Sequence, residues 1–413
     1  MYMILIIGII IVMTLFGLFL KYLNYRNRNA PIPENVRDIY DEDTYKKRSA
    51  YDMENLRLGI LSSLINTAIF VAVLVFGVHS RAFYHALSFT NNEFLRTYFM
   101  FAIPYFIAYP FGLIFELIST FKIEAKYDFN KTSAFTFVKD CVLELVFVNG
   151  LVMMGLVSVF MLLHNAFGNM VFIVFFFILL LVMMFVMMFM SFIIRLFNKL
   201  TPLEDGSLKD KITELSSTLG FPIKRIMVID GSKRSTKPNA MFTGFGKLKT
   251  VMLYDTLIKD FSEDEVLAVV AHEIGHSKGK HLWKMMPMQL LSFAALMGVA
   301  FFVINSAGIA YAFGFEQINA AFGLYVTFVI SGPLMQMLSI PASIRSRKHE
   351  YEADAYEVKY VGVEPAISAM KKIYRKSFGN LTPHPFVVFI SYSHPTASQR
   401  IAAMENFKKR GQK

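Results

Sequence analysis

Two histidines and a glutamate within residues 271–276 form the pattern H-E-x-x-H, which is typical of a metal site on a helix. Because positions four residues apart share one face of an α-helix, His272 and His276 can direct both imidazoles at one metal ion. Glu273 can reach a water molecule on that ion, as the catalytic glutamate of a zinc peptidase does. The alternative is a helix with two surface histidines and a solvated glutamate. Chance alone produces this pattern in about one chain in a hundred of this length and histidine content.

A catalytic zinc needs a third protein ligand and an open position for water. The stretch 348–355, which reads KHEYEADA, supplies candidates in a helical pattern. Glu350 could be the third ligand. Asp354 lies four residues further on the same face and could accept a hydrogen bond from the distal N–H of a ligating histidine. The alternative is a charged helix end after a membrane span, and His349 and Glu352 point to other sides of this helix.

A third element is His394, which precedes a proline, together with Arg400 six residues further on. A histidine and an arginine near a hydrolytic zinc could stabilise the oxyanion of a tetrahedral intermediate. A histidine before a proline is also common in turns, so by itself this element indicates little.

Local signals mark the start of the helix that carries the first motif. Ser262 is the predicted N-cap, and Glu265 completes a capping box. Phe261 and Val266 can pack together as a hydrophobic staple. The histidines are therefore predicted to lie on a helix by signals that are independent of the motif.

The segment 195–284 has the pattern of a small α+β unit. Ser207 is the predicted N-cap of an earlier helix, with Asp210 as its third residue and a stop at Gly220. Three strand-like runs follow this helix, at Arg225–Ile229, Ala240–Gly244 and Thr250–Tyr254.

The composition is that of an integral membrane protein. Of the 413 residues, 55% are hydrophobic and 18% are charged, and the mean hydropathy is +0.45. Seven segments are long and apolar enough to span a bilayer, at 3–20, 58–79, 98–118, 145–163, 170–194, 285–305 and 321–344. The single cysteine, Cys141, excludes an intrachain disulfide and a cysteine-based zinc cluster, so a metal must be held by histidine and carboxylate.

The distribution of basic residues predicts the orientation in the membrane. Lysine and arginine are concentrated at 21–57, 122–139, 195–284 and 345–413. Alternate loops carry few of them, so the net charge of +11 reflects topology and does not indicate nucleic-acid binding. This distribution predicts that the N-terminus lies outside the cell and that the C-terminus lies on the cytoplasmic side of the membrane. An even number of spans, two, separates His276 from Glu350, which returns both halves of the site to the cytoplasmic face.

With these elements in order, the sequence resembles the CAAX prenyl protease 1 family of integral-membrane zinc endopeptidases of the gluzincin type. The stretches that carry the resemblance are 121–130 with Thr132, 201–206, 231–235, Asn239–Ala240, 253–257, His272–His276, Glu350–Asp354 and His394–Arg400. The resemblance implies a mainly α fold, in which a seven-span transmembrane helical barrel encloses a chamber and a cytoplasmic zincin-like α+β peptidase domain closes its end. The chain then divides into spans one to five with their loops (1–194), the cytoplasmic part with H-E-x-x-H (195–284), spans six and seven (285–344) and the cytoplasmic part with the third ligand and the His-Pro motif (345–413).

The resemblance also implies the metal and the catalytic groups. One Zn²⁺ ion per chain would be held by His272, His276 and Glu350. Glu273 would be the general base that activates water. Asp354 would be the carboxylate behind a zinc ligand, which is sometimes described as the proton donor.

The remaining implied roles concern the substrate. His394 and Arg400 would sit over the zinc and stabilise the intermediate. Asn239, with Ala240 and Met241, would lie on an edge strand and hold the substrate backbone by strand addition.

Three departures from the family pattern favour a bacterial member, and one of them is that the outer loops are short. The tail motif is His394-Pro395-Thr396, where eukaryotic relatives tend to carry a second proline, and the last residues form no dilysine retrieval signal. The expected location is a bacterial plasma membrane, or the endoplasmic reticulum membrane if the protein is eukaryotic, with the active site on the cytoplasmic side.

Three functions are consistent with these sequence features. The first is zinc-dependent hydrolysis that removes C-terminal residues from prenylated or membrane-associated peptides. The second is quality-control proteolysis of membrane proteins without prenyl specificity. The third is a zinc-binding transporter or scaffold, which the seven spans and the intramembrane Glu116 favour, although a transporter needs no complete H-E-x-x-H plus glutamate arrangement. The expected partners are a peptide or protein substrate and membrane lipid, and no nucleic acid is expected.

Overall fold

Helices make up most of the described chain. The computed structural model describes residues 1–243 and 249–411, with the exception of the side chains of Ser191 and 408–411. The α-helices are α1 (Tyr2–Asn27), α2 (Glu42–Val75), α3 (Val78–His85), α4 (Glu93–Leu117), α5 (Ala134–Leu143), α6 (Met154–Phe167), α7 (Val171–Phe197), α8 (Ser207–Thr218), α9 (Asp255–Asp260), α10 (Glu263–Lys278), α11 (His281–Ile304), α12 (Ala307–Ala312), α13 (Ala320–Ile330), α14 (Gly332–Val361), α15 (Val363–Ser377), α16 (Pro385–Ser391) and α17 (Ala397–Gly411). Two π-helical stretches, Ile118–Glu124 and Glu144–Met153, continue α4 and α5. Short 3-10 helices lie at Glu34–Ile39, Ala86–Ser88, Gly168–Met170 and Gly231–Lys233. The strands are β1 (Leu200–Pro202), β2 (Arg225–Ile229), β3 (Ala240–Thr243) and β4 (Thr250–Tyr254).

Within the described residues, five helical segments are long and apolar enough to cross a membrane. They are Tyr2–Asn27, Glu42–Val75, Glu93–Glu124, Ala134–Met190 and His281–Ile304. Helices α13 and α14 are together long and apolar enough to cross a membrane, but they are bent by 51° relative to each other. If this pair forms one span, the number of candidate spans among the described residues is six. Large apolar side chains such as Ile4, Leu181 and Phe302 are exposed on these helices, as expected for surfaces that face lipid. The membrane character of the chain is thus confirmed.

The segment Ala134–Met190 contains two of the predicted spans. Glu144, directly before the predicted span at 145–163, and Asn149 within that span both lie in the π-helical stretch after α5. Gly168 ends α6 with φ +53° and ψ −134°, a conformation that glycine adopts easily. The chain resumes as α7, which packs against α6.

The polar segment after α7 forms a four-stranded sheet with the strand order β1-β2-β4-β3. β2 and β4 are parallel, and β1 and β3 pair antiparallel to them at the two edges. Val251 and Leu253 of the central β4 share a buried cluster with Val266 and Ile274 of α10, so the sheet supports the motif helix. The predicted bounds of β2 and β4 are confirmed. The strand predicted at Ala240–Gly244 begins at Ala240 and is described as far as Thr243, and Gly244 lies outside the described residues.

The helix starts test the predicted caps. At α10 the capping box is confirmed, because Ser262 Oγ accepts a hydrogen bond from Glu265 N and Glu265 Oε2 accepts one from Ser262 N. At α8 the predicted cap is wrong, since Gly206 holds the N-cap position and Ser207 is the first helical residue. Ser207 Oγ instead donates to Glu263 Oε2 at 2.9 Å, which joins the starts of α8 and α10.

Candidate metal centre and active site

The two halves of the predicted site meet where α10 packs against α14. A Cβ atom added to Gly275 would lie 3.1 Å from both Ala353 Cα and Tyr356 Cβ, which is closer than ordinary van der Waals contact. The glycine inside the H-E-x-x-H motif therefore allows the two helices to approach closely. Their approach brings the histidines of α10 against the carboxylates of α14.

Three side chains converge at this crossing with the geometry of a metal-binding cluster. His276 Nε2 lies 3.1 Å from His272 Nε2 and 3.2 Å from Glu350 Oε1. His272 Nε2 lies 3.5 Å from Glu350 Oε2. One ligand atom from each residue fits within 4.8 Å of the other two. The sequence prediction that these three side chains come together is confirmed.

The donor set fits a zinc ion. Two imidazole nitrogens and one carboxylate are the protein ligands of many catalytic zinc sites, which leave a fourth position open. Glu350 Oε2 is buried and accepts no hydrogen bond from the described residues, although Arg400 Nη1 lies 3.2 Å away. Because this oxygen is ion-paired but not hydrogen-bonded, it keeps an acceptor position that suits a metal ligand.

Asp354 lies behind the cluster, next to the distal nitrogen of His272. Its Oδ1 atom is 3.1 Å from His272 Nδ1, on the side of the ring that faces away from His276. Glu357 Oε2, which the sequence analysis did not identify, lies 3.5 Å from the same nitrogen. Glu357 follows Asp354 by three residues, so its helical spacing was a usable signal. These two carboxylates and His272 could also surround a cation, but Arg400 already supplies a positive charge there.

Arg400 lies beside His272 and against the carboxylates of α14. Its Nε and Nη2 atoms donate to the two oxygens of Asp354 at 2.9 and 2.5 Å, in a bidentate pair. Its Nη1 atom lies 3.2 Å from Glu350, and only 13% of its side chain is exposed. The guanidinium therefore binds the carboxylates of α14, and its Nη2 atom also lies 3.5 Å from His272 Nε2. Its expected contact with a reaction intermediate stays a prediction.

His394 lies at the mouth of the site. Its Nε2 atom is 3.4 Å from Glu350 Oε1, and 60% of its side chain is exposed. Its Nδ1 atom is 2.9 Å from Ser393 Oγ. His394 therefore lies beside the three-residue cluster, and its expected role above a metal stays a prediction.

Burial dominates the ionisation of Glu273. The loss of surrounding water raises the pKa of this carboxyl above the ordinary range for glutamate. Burial also opposes the charged form of His272, but hydrogen bonds to Asp354 and Glu350 outweigh it, so the pKa of His272 lies well above its ordinary value. A raised pKa makes Glu273 a better proton acceptor. A metal that binds here has to displace a proton from His272.

A cleft of about 220 Å³ opens in front of the cluster, and Asn239, Ala240 and Glu273 are among its lining residues. β3 is an edge strand, as predicted, and Asn239 lies one residue before it. Met241 packs with Met227 and Ile229 against the sheet and is not among the described residues that line the cleft. The alternation of side chains along a strand explains this difference from the expected set.

Two further polar residues lie near the cluster. His281 was not among the predicted site residues, and Glu352 was predicted to point to another side of its helix. His281 Nδ1 lies 2.9 Å from His276 Nδ1, and Glu352 Oε2 lies 2.9 Å from His281 Nε2. The sequence offered no periodic signal for His281, because it lies beyond the end of α10. Glu352 does point away from the three converging side chains, as expected.

Comparison with known proteins relates the whole chain to one family. The model of peptidase family M48 matches residues 202–408, and the model of the CAAX prenyl protease N-terminal region, described as five membrane helices, matches residues 21–199. The CAAX prenyl protease 1 homolog of Arabidopsis thaliana is 31% identical over 98% of each chain. The CAAX prenyl protease 1 of Saccharomyces cerevisiae is 27% identical, with 94% of this chain and 92% of the yeast protein covered.

The similarity extends to the three-dimensional structure. The crystal structure of S. mikatae Ste24p matches with a TM-score of 0.91 and 25% identity, over 98% of this chain and 99% of that chain. The relatives named here are eukaryotic, so they give no support to the predicted bacterial origin. The match to a peptidase family over half of the chain also favours an enzyme over a transporter or scaffold. The chain belongs to peptidase family M48, and it is an integral-membrane metalloendopeptidase of the CAAX prenyl protease 1 type.

Proposed function

We propose that the chain hydrolyses peptide bonds at a single zinc ion held by His272, His276 and Glu350. The observation that carries the proposal is the convergence of one ligand atom from each of these residues within 4.8 Å. When bound, the ion supplies Lewis acidity, which polarises the scissile carbonyl and lowers the pKa of a water molecule.

Glu273 is the proposed general base. It lies beside the ligands in the cleft, where it takes the proton of the attacking water and then delivers it to the leaving amine. Burial raises the pKa of this carboxyl, which strengthens it as a proton acceptor.

His394 is the proposed group that opposes the oxyanion. Its exposed imidazole at the mouth of the cleft can donate a hydrogen bond to the carbonyl oxygen as negative charge develops. Arg400 is assigned a positioning role, since its guanidinium already holds Asp354 and Glu350. Asp354 in turn accepts from His272 Nδ1, which directs Nε2 of that ring towards the metal.

The substrate backbone is proposed to bind along β3. Asn239 O accepts a hydrogen bond from Tyr254 N, so the antiparallel alternation turns the main-chain groups of Ala240 away from β4 and towards the open edge. The side chain of Asn239 accepts from Ala240 N at 2.9 Å. An extended peptide that pairs with this edge would take the place of that side chain. Met241 would contribute packing within the sheet and no substrate contact.

The acid limb of the pH profile is expected to lie above the ordinary range for glutamate. Glu273 accepts a proton only in its charged form, and burial raises its pKa, so kcat/KM should fall as the pH drops through that raised value. The measurement is kcat/KM for a soluble peptide from pH 4 to 8 in about half-unit steps. Zinc content measured at each pH separates loss of the base from loss of the metal, which protonation of His272 would cause. An acid limb at or below the usual glutamate pKa, with zinc still bound, contradicts the assignment.

Seven spans are proposed, with the peptidase site on the cytoplasmic side. The five apolar segments become six crossings if the break at Gly168, which has a positive φ, divides Ala134–Met190 into two spans. The bent pair α13 and α14 supplies the seventh crossing. The division into 1–194, 195–284, 285–344 and 345–413 follows from that count. The basic loops support the orientation, whether the membrane is a bacterial plasma membrane or the endoplasmic reticulum.

The proposed substrate is a prenylated or otherwise membrane-associated peptide, from which C-terminal residues are removed. Relatives along the whole chain carry the name CAAX prenyl protease 1. A cavity of about 470 Å³ between the membrane helices is lined largely by aromatic and aliphatic side chains, including Phe101, Tyr105 and Phe328. Such a lining suits an isoprenoid chain. Quality-control proteolysis without prenyl recognition is the alternative.

A farnesylated peptide is expected to be cleaved with a kcat/KM about tenfold or more above that of the unmodified peptide of the same sequence. Burial of two methylene-sized groups at about 0.8 kcal/mol each accounts for a factor of about ten, and a farnesyl chain offers many more. The measurement uses both peptides with the same detergent-solubilised protein. A third peptide with a short alkyl group on the same cysteine controls for the free thiol. Equal rates for the three peptides would favour the quality-control alternative.

A further inference from the structure

A chain of three polar side chains leads away from the metal cluster on the side of His276. His276 Nδ1 lies 2.9 Å from His281 Nδ1. His281 Nε2 lies 2.9 Å from Glu352 Oε2, and Lys284 Nζ lies 3.4 Å from the same oxygen. The contacts join the end of α10, the start of α11 and the face of α14 that points away from Glu350.

The hydrogen bonds along this chain admit one arrangement of protons when His276 binds a metal through Nε2. A neutral imidazole that ligates through one nitrogen carries its proton on the other, so His276 Nδ1 must donate. His281 Nδ1 then has to accept, which leaves the proton of His281 on Nε2. That N–H points at Glu352, a carboxylate that can only accept. Each donor thus meets an acceptor.

The backbone around His281 is built to hold the ring in this position. A Cβ atom added to Gly279 would lie 2.2 Å from His281 Nε2, so only glycine leaves room for the imidazole. Lys280 adopts φ +52°, which turns the chain from α10 into α11 at this point. His281 is 5% exposed, and its ring stacks on that of His349 with centroids 4.1 Å apart and planes at 1°. The ring of His349 therefore fixes the plane of His281.

We propose that His281 and Glu352 are positioning residues for the zinc ligand His276. They set its tautomer and its orientation, as Asp354 does for His272 on the other side of the cluster. Hydrogen-bond partners of this kind direct the ligating nitrogen at the metal and typically change metal affinity by about 10–100-fold when removed. The inference rests on the proposed function in one respect, namely that His276 binds zinc.

The test compares zinc dissociation constants, measured by competition with a chelator in detergent solution. His281→Phe keeps the stacked ring and removes the acceptor, so its dissociation constant is expected to rise by about 10–100-fold. His281→Asn keeps an acceptor atom near the position of Nδ1, and its affinity is expected to stay within a few-fold of the original protein. Gly279→Ala displaces the ring and should behave like His281→Phe. Glu352→Leu should weaken binding, whereas Glu352→Gln, which retains an acceptor, should do so less.

His349→Phe is the matched control, because it retains the ring stack and leaves the three-residue chain intact. Thermal unfolding of the metal-free proteins shows whether each variant folds. A folded His281→Phe variant with unchanged zinc affinity, or a His281→Asn variant as weak as His281→Phe, overturns the proposal. His276→Ala separates the two levels of inference. If that variant binds zinc as tightly as the original protein, the ligand assignment itself fails, whereas its loss of zinc together with normal binding by His281→Phe rejects the positioning role alone.

Discussion

Glu273→Gln is expected to lose nearly all turnover while one zinc ion per chain stays bound. Glutamine preserves the size of the side chain but cannot accept the proton of the attacking water. General-base catalysis contributes about 10²–10⁴-fold, so kcat/KM for a peptide substrate should fall by that factor. The rate is measured with purified protein, and zinc is measured per chain by elemental analysis of the same sample.

Asp264→Asn provides the matched control for this variant. Asp264 is a carboxylate on the same helix, α10, but its side chain is 67% exposed and lies in the first turn. Its replacement should leave both rate and zinc content unchanged. Full activity of Glu273→Gln would reject Glu273 as the base. Loss of zinc from Glu273→Gln would show that the carboxylate supports the metal rather than the proton transfer.

Glu350→Ala is expected to lose zinc and, with it, activity. Glu350 is the only candidate ligand in the described cluster that comes from α14, and its removal leaves two histidines on one helix. Loss of a hydrogen-bond partner behind a zinc ligand lowers zinc affinity by about 10–100-fold. Loss of the ligand Glu350 itself should lower the affinity by more than that. Competition with a chelator gives the affinity, and activity at equal total zinc gives the functional consequence.

Removal of Glu350 also leaves Arg400 with one carboxylate partner fewer, which destabilises a buried cation. Thermal unfolding of the metal-free original protein and the metal-free variant measures that effect separately from zinc. Lys359→Ala, which truncates an exposed side chain on the same helix, is the control for a change in α14. Unchanged zinc stoichiometry and affinity in Glu350→Ala would require another third ligand.

Features that depend on neighbouring residues could be predicted from the sequence. The start of α10 at Ser262 and Glu265 is an example, because a capping box involves atoms only three residues apart. The shared face of His272 and His276 follows from helical geometry in the same way. The membrane character follows from composition, since about 20 apolar residues in a row have few other stable environments.

The choice of Glu350 as partner of the histidines needed more than local pattern. The two predicted spans between His276 and Glu350 return the chain to the same side of the membrane, which allows the two residues to meet. The four-residue spacing of Glu350 and Asp354 places both carboxylates on one helix face. The contact itself depends on Gly275 and Ala353, where the two helices approach too closely for a side chain at position 275. Two packed helices could cross at many other places, and the sequence pattern does not select one.

The sequence by itself determined the motif, the helix that carries it and the membrane setting. Only the tertiary structure decided which partner each polar side chain takes. Ser207 bonds to Glu263 and not to its own helix, Arg400 binds Asp354, and His281 supports His276 from beyond the end of α10. The physical reason is that periodic patterns specify the face on which a side chain lies, whereas hydrogen bonds and ion pairs depend on distances of about 3 Å between segments far apart in the chain.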